Sequence, residues 1–325
     1  MTDEFATHLA ELRETVEGSL QQLLREQEWP ESLADAVRYS LMAGGKRLRP
    51  ALVLLASEVC QGSRQHALPA AMAIECIHTY SLIHDDLPCM DDDDLRRGRP
   101  TSHVVYGEAL ATLAGDTLLT LAFESLAHAE LPPPMLIDSL KLLGRAAGGA
   151  GMVGGQILDL EAERGLFSPV SEGGPEGNAA KPSNFPGNQP NSTSAAPGIR
   201  VEHLTQIHRM KTGALVSASL QLGAISAGAN QDERTALAVY GQNIGLAFQI
   251  ADDLLDVTGT NERLGKETGR DDELGKLTYP SLLGIEASRR KADELIGEAC
   301  QALDIFGGRQ TRLVQLARFI VERDH

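Results

Sequence analysis

Six aspartates fall within ten residues, from Asp85 to Asp94, in the stretch "LIHDDLPCMDDDDLRRGRP", and Arg96, Arg97 and Arg99 follow at once. Crowded carboxylates repel one another unless something positive gathers them. A second group stands about 160 residues later in "FQIADDLLDV", where Asp252 and Asp256 are four apart and so share one face of a helix, with Asp253 beside them. Oxygen ligands without a Cys or His set select hard cations, and Mg²⁺ takes one or two carboxylates together with water and substrate phosphates. The chemistry predicted is metal-assisted handling of a phosphorylated substrate, with arginines on the phosphate oxygens that the metal leaves free.

The cations continue this reading. Lys46 and Arg49 in "LMAGGKRLRP" are three apart and follow a glycine pair whose backbone amides are open, a cradle for a second phosphate group. The motif lacks the Gly-Lys-Ser/Thr ending of a nucleotide-binding P-loop. Lys211 and Thr212 in "HRMKTGAL", with Lys266 and Lys276 after the second acidic helix, add polar groups that are also compatible with plain solvated surface.

The elements that must carry these residues are helices. The 325 residues are 42% hydrophobic and only 4% aromatic, Ala- and Leu-rich stretches recur with helical spacing, and no run alternates with period two. The predicted fold is all-α, a single-domain bundle of antiparallel helices around a deep central cleft. In "PAAMAIECIHTYSLIHDD", Glu75, His78, Leu82 and Asp85 share one face, and Pro88 ends the helix so that Asp85 and Asp86 occupy its last turn. Gln242, Gly245, Gln249, Asp252 and Asp256 form a stripe on the second acidic helix. The segment 168–200 holds six of the fifteen prolines and almost no large apolar residue, and reads as a disordered insertion within one domain spanning 1–325.

A net charge of −16 argues against nucleic acid as a partner. Cys60, Cys76, Cys89 and Cys300 form no CxxC pair and read as free thiols of a reducing cytosol. The N-terminus is acidic and amphipathic, and no uninterrupted apolar run reaches membrane-spanning length, so a cytoplasmic location without a membrane span is expected.

Five ordered blocks, "GGKRLRP", "HDDLPCMDDDDLRRGRPTSH", "GMVGGQILDL", "MKTGAL" and "FQIADDLLDV", resemble the signatures of the trans-isoprenyl diphosphate synthases, in the bacterial and plant type with two residues inserted in the first aspartate motif. The resemblance implies a homodimeric helical prenyltransferase that joins an allylic diphosphate, dimethylallyl or geranyl, to isopentenyl diphosphate. It implies three Mg²⁺ ions, replaceable by Mn²⁺, on Asp85, Asp91 and Asp252, with Asp86, Asp253 and Asp256 completing the two motifs. It places Arg96 on the allylic diphosphate, and Lys46, Arg49, His78 and Arg97 on isopentenyl diphosphate. Lys211, Thr212, Gln249, Lys266 and Lys276 become further allylic contacts. Tyr80 and Ser81, five and four residues before Asp85, resemble the family's chain-length positions; the bulk of Tyr80 points to farnesyl diphosphate as product, with geranylgeranyl diphosphate as the alternative. A terpene cyclase would need no second diphosphate site, and a metal-dependent phosphohydrolase would leave the second aspartate motif idle. A non-catalytic subunit of a synthase could shed motif residues that this chain keeps.

Overall fold

The computed structural model describes residues 3–163, 201–258 and 277–321. The insertion at 168–200, Lys266 and Lys276 lie outside the described residues. The fold is all-α, as the composition predicts. In chain order the helices are α1 (Asp3–Arg25), α2 (Glu31–Leu41), α3 (Leu48–Val59), α4 (Arg64–Asp85), α5 (Ser102–Tyr106), α6 (Glu108–Ala127), α7 (Pro133–Ala147) and α8 (Met152–Glu163). After the first gap come α9 (Val201–His208), a π-helical turn (Arg209–Gly213), α10 (Ala214–Ser226) and α11 (Gln231–Thr258). The chain closes with α12 (Tyr279–Leu283), α13 (Ile285–Ala302) and α14 (Thr311–Val321).

The apolar residues of α10, including Leu215, Val216, Leu220, Leu222 and Ile225, are buried around its whole circumference, which a helix does only when neighbours enclose it. Those neighbours are α3, α4, α7 and α11. The amphipathic α1 instead offers a single stripe, Phe5, Leu12, Val16, Leu20 and Leu24, to the core. A smaller core of Leu204, Leu246, Ile250, Leu254, Tyr279 and Leu295 binds α9, α12 and α13 to the far half of α11. By length and composition α6 could cross a membrane, which the sequence reading did not anticipate; in the fold one side of it packs on α4. All four cysteines are free; Cys76 is buried and Cys89 exposed.

Two features depart from a purely helical expectation. Between α4 and α5 a hairpin pairs Leu95 with Pro100 and Arg96 with Arg99. Its two central residues, Arg97 (φ 54°) and Gly98 (φ 73°), both have positive φ, the geometry of the two-residue turn that matches strand twist. The second departure is the π-helical turn, one residue wider than α-helix, of a kind that often marks functional positions.

Candidate active site

The first aspartate cluster is built by the end of α4 and the loop that follows. Asp85 is the last helical residue and Asp86 caps it. The amide of Asp91 donates to the Asp85 carbonyl at 2.9 Å, which folds the loop back and brings Asp91 beside the helix end. Burial pushes the Asp85 carboxyl up to about 6; the Lys211 ammonium works against that rise, and the Asp91 charge adds to it. Asp86, by contrast, is 3% exposed and receives Arg96 Nε at 2.7 Å and Nη2 at 2.5 Å. Its carboxylate is therefore spent on orienting Arg96, whose Nη2 also lies 3.6 Å from Asp93. Burial works to lower the Arg96 pKa, but its hydrogen bond to Asp86 and the surrounding carboxylates carry it above its ordinary value.

The hairpin that bears Arg96 and Arg97 is pinned from outside. The Arg99 guanidinium stacks 4.6 Å over the Tyr39 ring, and the Tyr39 hydroxyl donates to the Pro100 carbonyl at 2.7 Å. Arg97 Nη1 in turn donates to the Gly44 carbonyl, so the hairpin closes on the glycine loop that carries Lys46. Arg49 Nη1 lies 3.3 Å from His78 Nε2. A guanidinium has no lone pair to offer, so Nε2 accepts and the proton of the neutral ring sits on Nδ1. Burial, and then the charges of Arg49, Arg97, Arg96 and Arg47, hold His78 well below the ordinary histidine range.

From the opposite side come α8, the π-helical turn and α11. Gly155 of α8 lies so close to the turn that a Cβ there would stand 2.2 Å from the Lys211 backbone nitrogen. This approach lets Asp159, one helical turn further on, receive Lys211 Nζ at 2.5 Å. Thr212 donates to Gln249 Oε1 at 2.8 Å. The field of Asp252 reaches Arg49, and that of Lys211 reaches Asp85, so α11 bears on the cations beside the glycine loop and the π-helical turn on the first aspartate cluster.

The second motif is split by this geometry. Asp252 and Asp256 are partly exposed, whereas Asp253 is 6% exposed and turned inward, where it accepts the Tyr279 amide at 2.9 Å and lies 3.5 Å from His208 Nε2. Adjacent helical residues point about 100° apart, and in both pairs the second carboxylate turns to a protein partner, Asp86 to Arg96 and Asp253 to the Tyr279 amide. Asp159 is an omission of the sequence reading. It sits inside the quoted "GGQILDL" block, but nothing in the spacing singles it out before Lys211 is seen against it. Tyr80 is 7% exposed and meets the His84 ring edge-on at 5.7 Å, while Ser81 donates to the His78 carbonyl. Thr112 accepts His84 Nε2 on its carbonyl, and Leu113 points outward.

Among the described residues no three of His, Cys, Asp and Glu gather closely enough to enclose a metal. What the site does offer is single carboxylates with raised or partly exposed oxygens, set among cations. That donor set fits Mg²⁺, which keeps its waters and completes its sphere with substrate phosphates.

The polyprenyl synthetase family model matches residues 30–305. Geranylgeranyl diphosphate synthase of Cyanophora paradoxa is 41% identical over 98% of this chain and 96% of its own. Farnesyl diphosphate synthase of Bacillus subtilis is 39% identical over the full length of both chains. Among solved structures, an FPP/GFPP synthase from Zymomonas mobilis superposes with a TM-score of 0.79 at 37% identity, covering 99% of this chain and 100% of its own. The chain belongs to the polyprenyl synthetase family. It is a prenyltransferase of the short-chain isoprenyl diphosphate synthase class.

Proposed function

We propose that this chain condenses dimethylallyl or geranyl diphosphate with isopentenyl diphosphate, as one catalytic domain in a homodimer, and that its main product is farnesyl diphosphate. The observation that carries the two-substrate reading is the pair of cationic groups: Arg96 with Lys211 beside Asp85, and Lys46, Arg49 and Arg97 gathered around the glycine loop next to His78. Mg²⁺ ions, three in number and held by Asp85, Asp91 and Asp252 with Asp256 nearby, would neutralise the charge that develops on the leaving diphosphate.

The residues of the chain do the rest. Arg96, held by Asp86, is preset toward the allylic diphosphate, and Lys211, held by Asp159, faces Asp85. Fixed donors of this kind need no rearrangement as the allylic C–O bond breaks. Lys46, Arg49 and Arg97 hold isopentenyl diphosphate so that its double bond attacks the allylic carbon; a C–C bond forms, and a proton leaves to the released diphosphate. Thr212 and Gln249, locked together, border that carbon with oxygen dipoles. Lys266 and Lys276 belong to the same reading as further allylic contacts. The apolar helix walls keep out water that would quench a cation.

Tyr80 supports the C15 product: it is buried within reach of the field of Asp85, five residues before it on the helix that leads away from the diphosphates. Geranylgeranyl diphosphate is the second reading, favoured by the name of the Cyanophora relative. Purified protein with Mg²⁺, isopentenyl diphosphate and geranyl diphosphate should yield chiefly C15 by chromatography and mass spectrometry, and Tyr80→Ala should move the product to C20 and beyond. C20 from the unaltered chain would replace the first reading with the second, and no consumption of isopentenyl diphosphate would refute both.

A further inference from the structure

Arg47 lies between Lys46 and Arg49 in sequence but turns away from them. It is 4% exposed; its Nη1 donates to Glu75 Oε1 at 2.6 Å, its Nη2 donates to the Leu41 carbonyl at 2.7 Å, and its Nε lies 3.6 Å from Glu17 of α1. Its backbone is left-handed (φ 48°, ψ 38°), a conformation that residues with a Cβ rarely hold without support. Gly45 before it has φ 122°, and a Cβ there would stand 2.4 Å from Arg97 Nη1. The loop that presents the second cationic group is therefore bent, and crowded by the guanidinium it must receive. It needs an anchor.

Glu75 supplies that anchor. It stands on α4, 3% exposed, one turn before His78, so two rungs climb the same helix face: Arg47 on Glu75, then Arg49 on His78. Glu75 also faces more than one cation, since its charge favours the protonated forms of Arg49 and Arg97 as well. A buried carboxylate so placed offsets the mutual repulsion of Arg47, Arg49 and Arg97 before any diphosphate arrives.

We infer that Arg47 and Glu75 are positioning residues for isopentenyl diphosphate: their buried pair fixes the bend of residues 44–47, and through it the placement of Lys46, Arg49 and Arg97, without touching the substrate. The inference rests on the proposed function. It also requires arginine in particular, because one planar fork spans a carboxylate and a carbonyl at once, whereas a lysine delivers its donors from a single nitrogen.

The test is steady-state kinetics of Arg47→Lys and Glu75→Gln with each substrate varied in turn, alongside thermal melts. Arg47→Lys should raise KM for isopentenyl diphosphate by about tenfold or more, with KM for geranyl diphosphate and kcat within about twofold of the parent. Glu75→Gln, which keeps an acceptor but loses the charge, should move the same constant in the same direction by less. Arg47→Met is the harsher variant; if it fails to fold, Arg47→Lys and Glu75→Gln still decide. A purely structural role would lower melting temperature and kcat through loss of active molecules and leave both KM values alone, and that result overturns the inference. So does a parallel rise of both KM values, or no change in either. A parent chain that consumes isopentenyl diphosphate while the variants behave in one of those ways refutes this inference alone, whereas an inactive parent refutes the proposed function and the inference with it.

Discussion

Asp85 ends a buried helix, where both the low dielectric and the helix dipole disfavour its charge, and burial lifts its carboxyl to about 6. A carboxyl whose folded pKa lies above its unfolded value binds its proton more tightly in the fold. Its contribution to stability is thus complete below about pH 4 and is lost as pH rises through about 6. The metal-free protein should accordingly gain stability at pH 7 from Asp85→Asn, by about 3 kcal/mol at most, and the gain should vanish by pH 4; urea melts at both pH values check this. Turnover in Mg²⁺ should fall by about a thousandfold or more in the same variant. In the parent, Mg²⁺ affinity measured by calorimetry should weaken below pH 6, where protons compete for the carboxylate. His78, held neutral, should give KM for isopentenyl diphosphate no histidine-like inflection between pH 6 and 8.

Helical spacing made much of the site readable at the level of elements. Asp252 and Asp256 share a face because they are four apart, and Pro88 ends α4 where it must for Asp85 to stand at the helix end. The limits are equally physical. Two neighbouring aspartates diverge on a helix, and spacing alone does not say which one turns inward; in the fold Asp86 and Asp253 are the buried members of their pairs. The two-residue strands at Leu95–Arg96 and Arg99–Pro100 are too short for any alternation to register, and the π-helical turn, Arg209–Gly213, continues the helical spacing on either side with no residue type that marks it. That turn depends on α8 coming close. Gly155→Ala, whose added carbon would collide with the backbone of Lys211, should cost about 1–3 kcal/mol in denaturant melts and should depress kcat more than either KM, because Lys211 is displaced from Asp85.

At the scale of the molecule, the first and last helices meet at one carboxylate. Glu58, near the end of α3, receives His8 of α1 at 3.1 Å, Arg64 at the start of α4 at 2.7 Å, and Arg312 of α14 at 3.0 Å. Next to it Arg309 Nη1 donates to the Val59 carbonyl at 2.7 Å, and Tyr240 of α11 donates to the Leu313 carbonyl at 2.7 Å. Arg309→Ala should lower unfolding free energy by about 1–2 kcal/mol in urea titrations and leave both KM values unchanged, since this seam lies apart from the two cationic groups. Val104, Val105 and Leu113 are exposed apolar side chains, a candidate face for the second copy of the proposed homodimer. Leu113→Glu should shift the sedimentation of the proposed dimer toward monomer.

The Arg309 hydrogen bond spans 250 residues of chain. During synthesis, the last carbonyls of α3 emerge long before the guanidinium that will cap them, and both aspartate motifs are complete before it too. A nascent chain can hold every reactive group in hand while the frame around them is still open at that seam. Contacts so distant along the sequence close late and slowly. Chaperone dependence and ageing of freshly made enzyme should therefore track the docking of α14 rather than the formation of the helices that carry the aspartates.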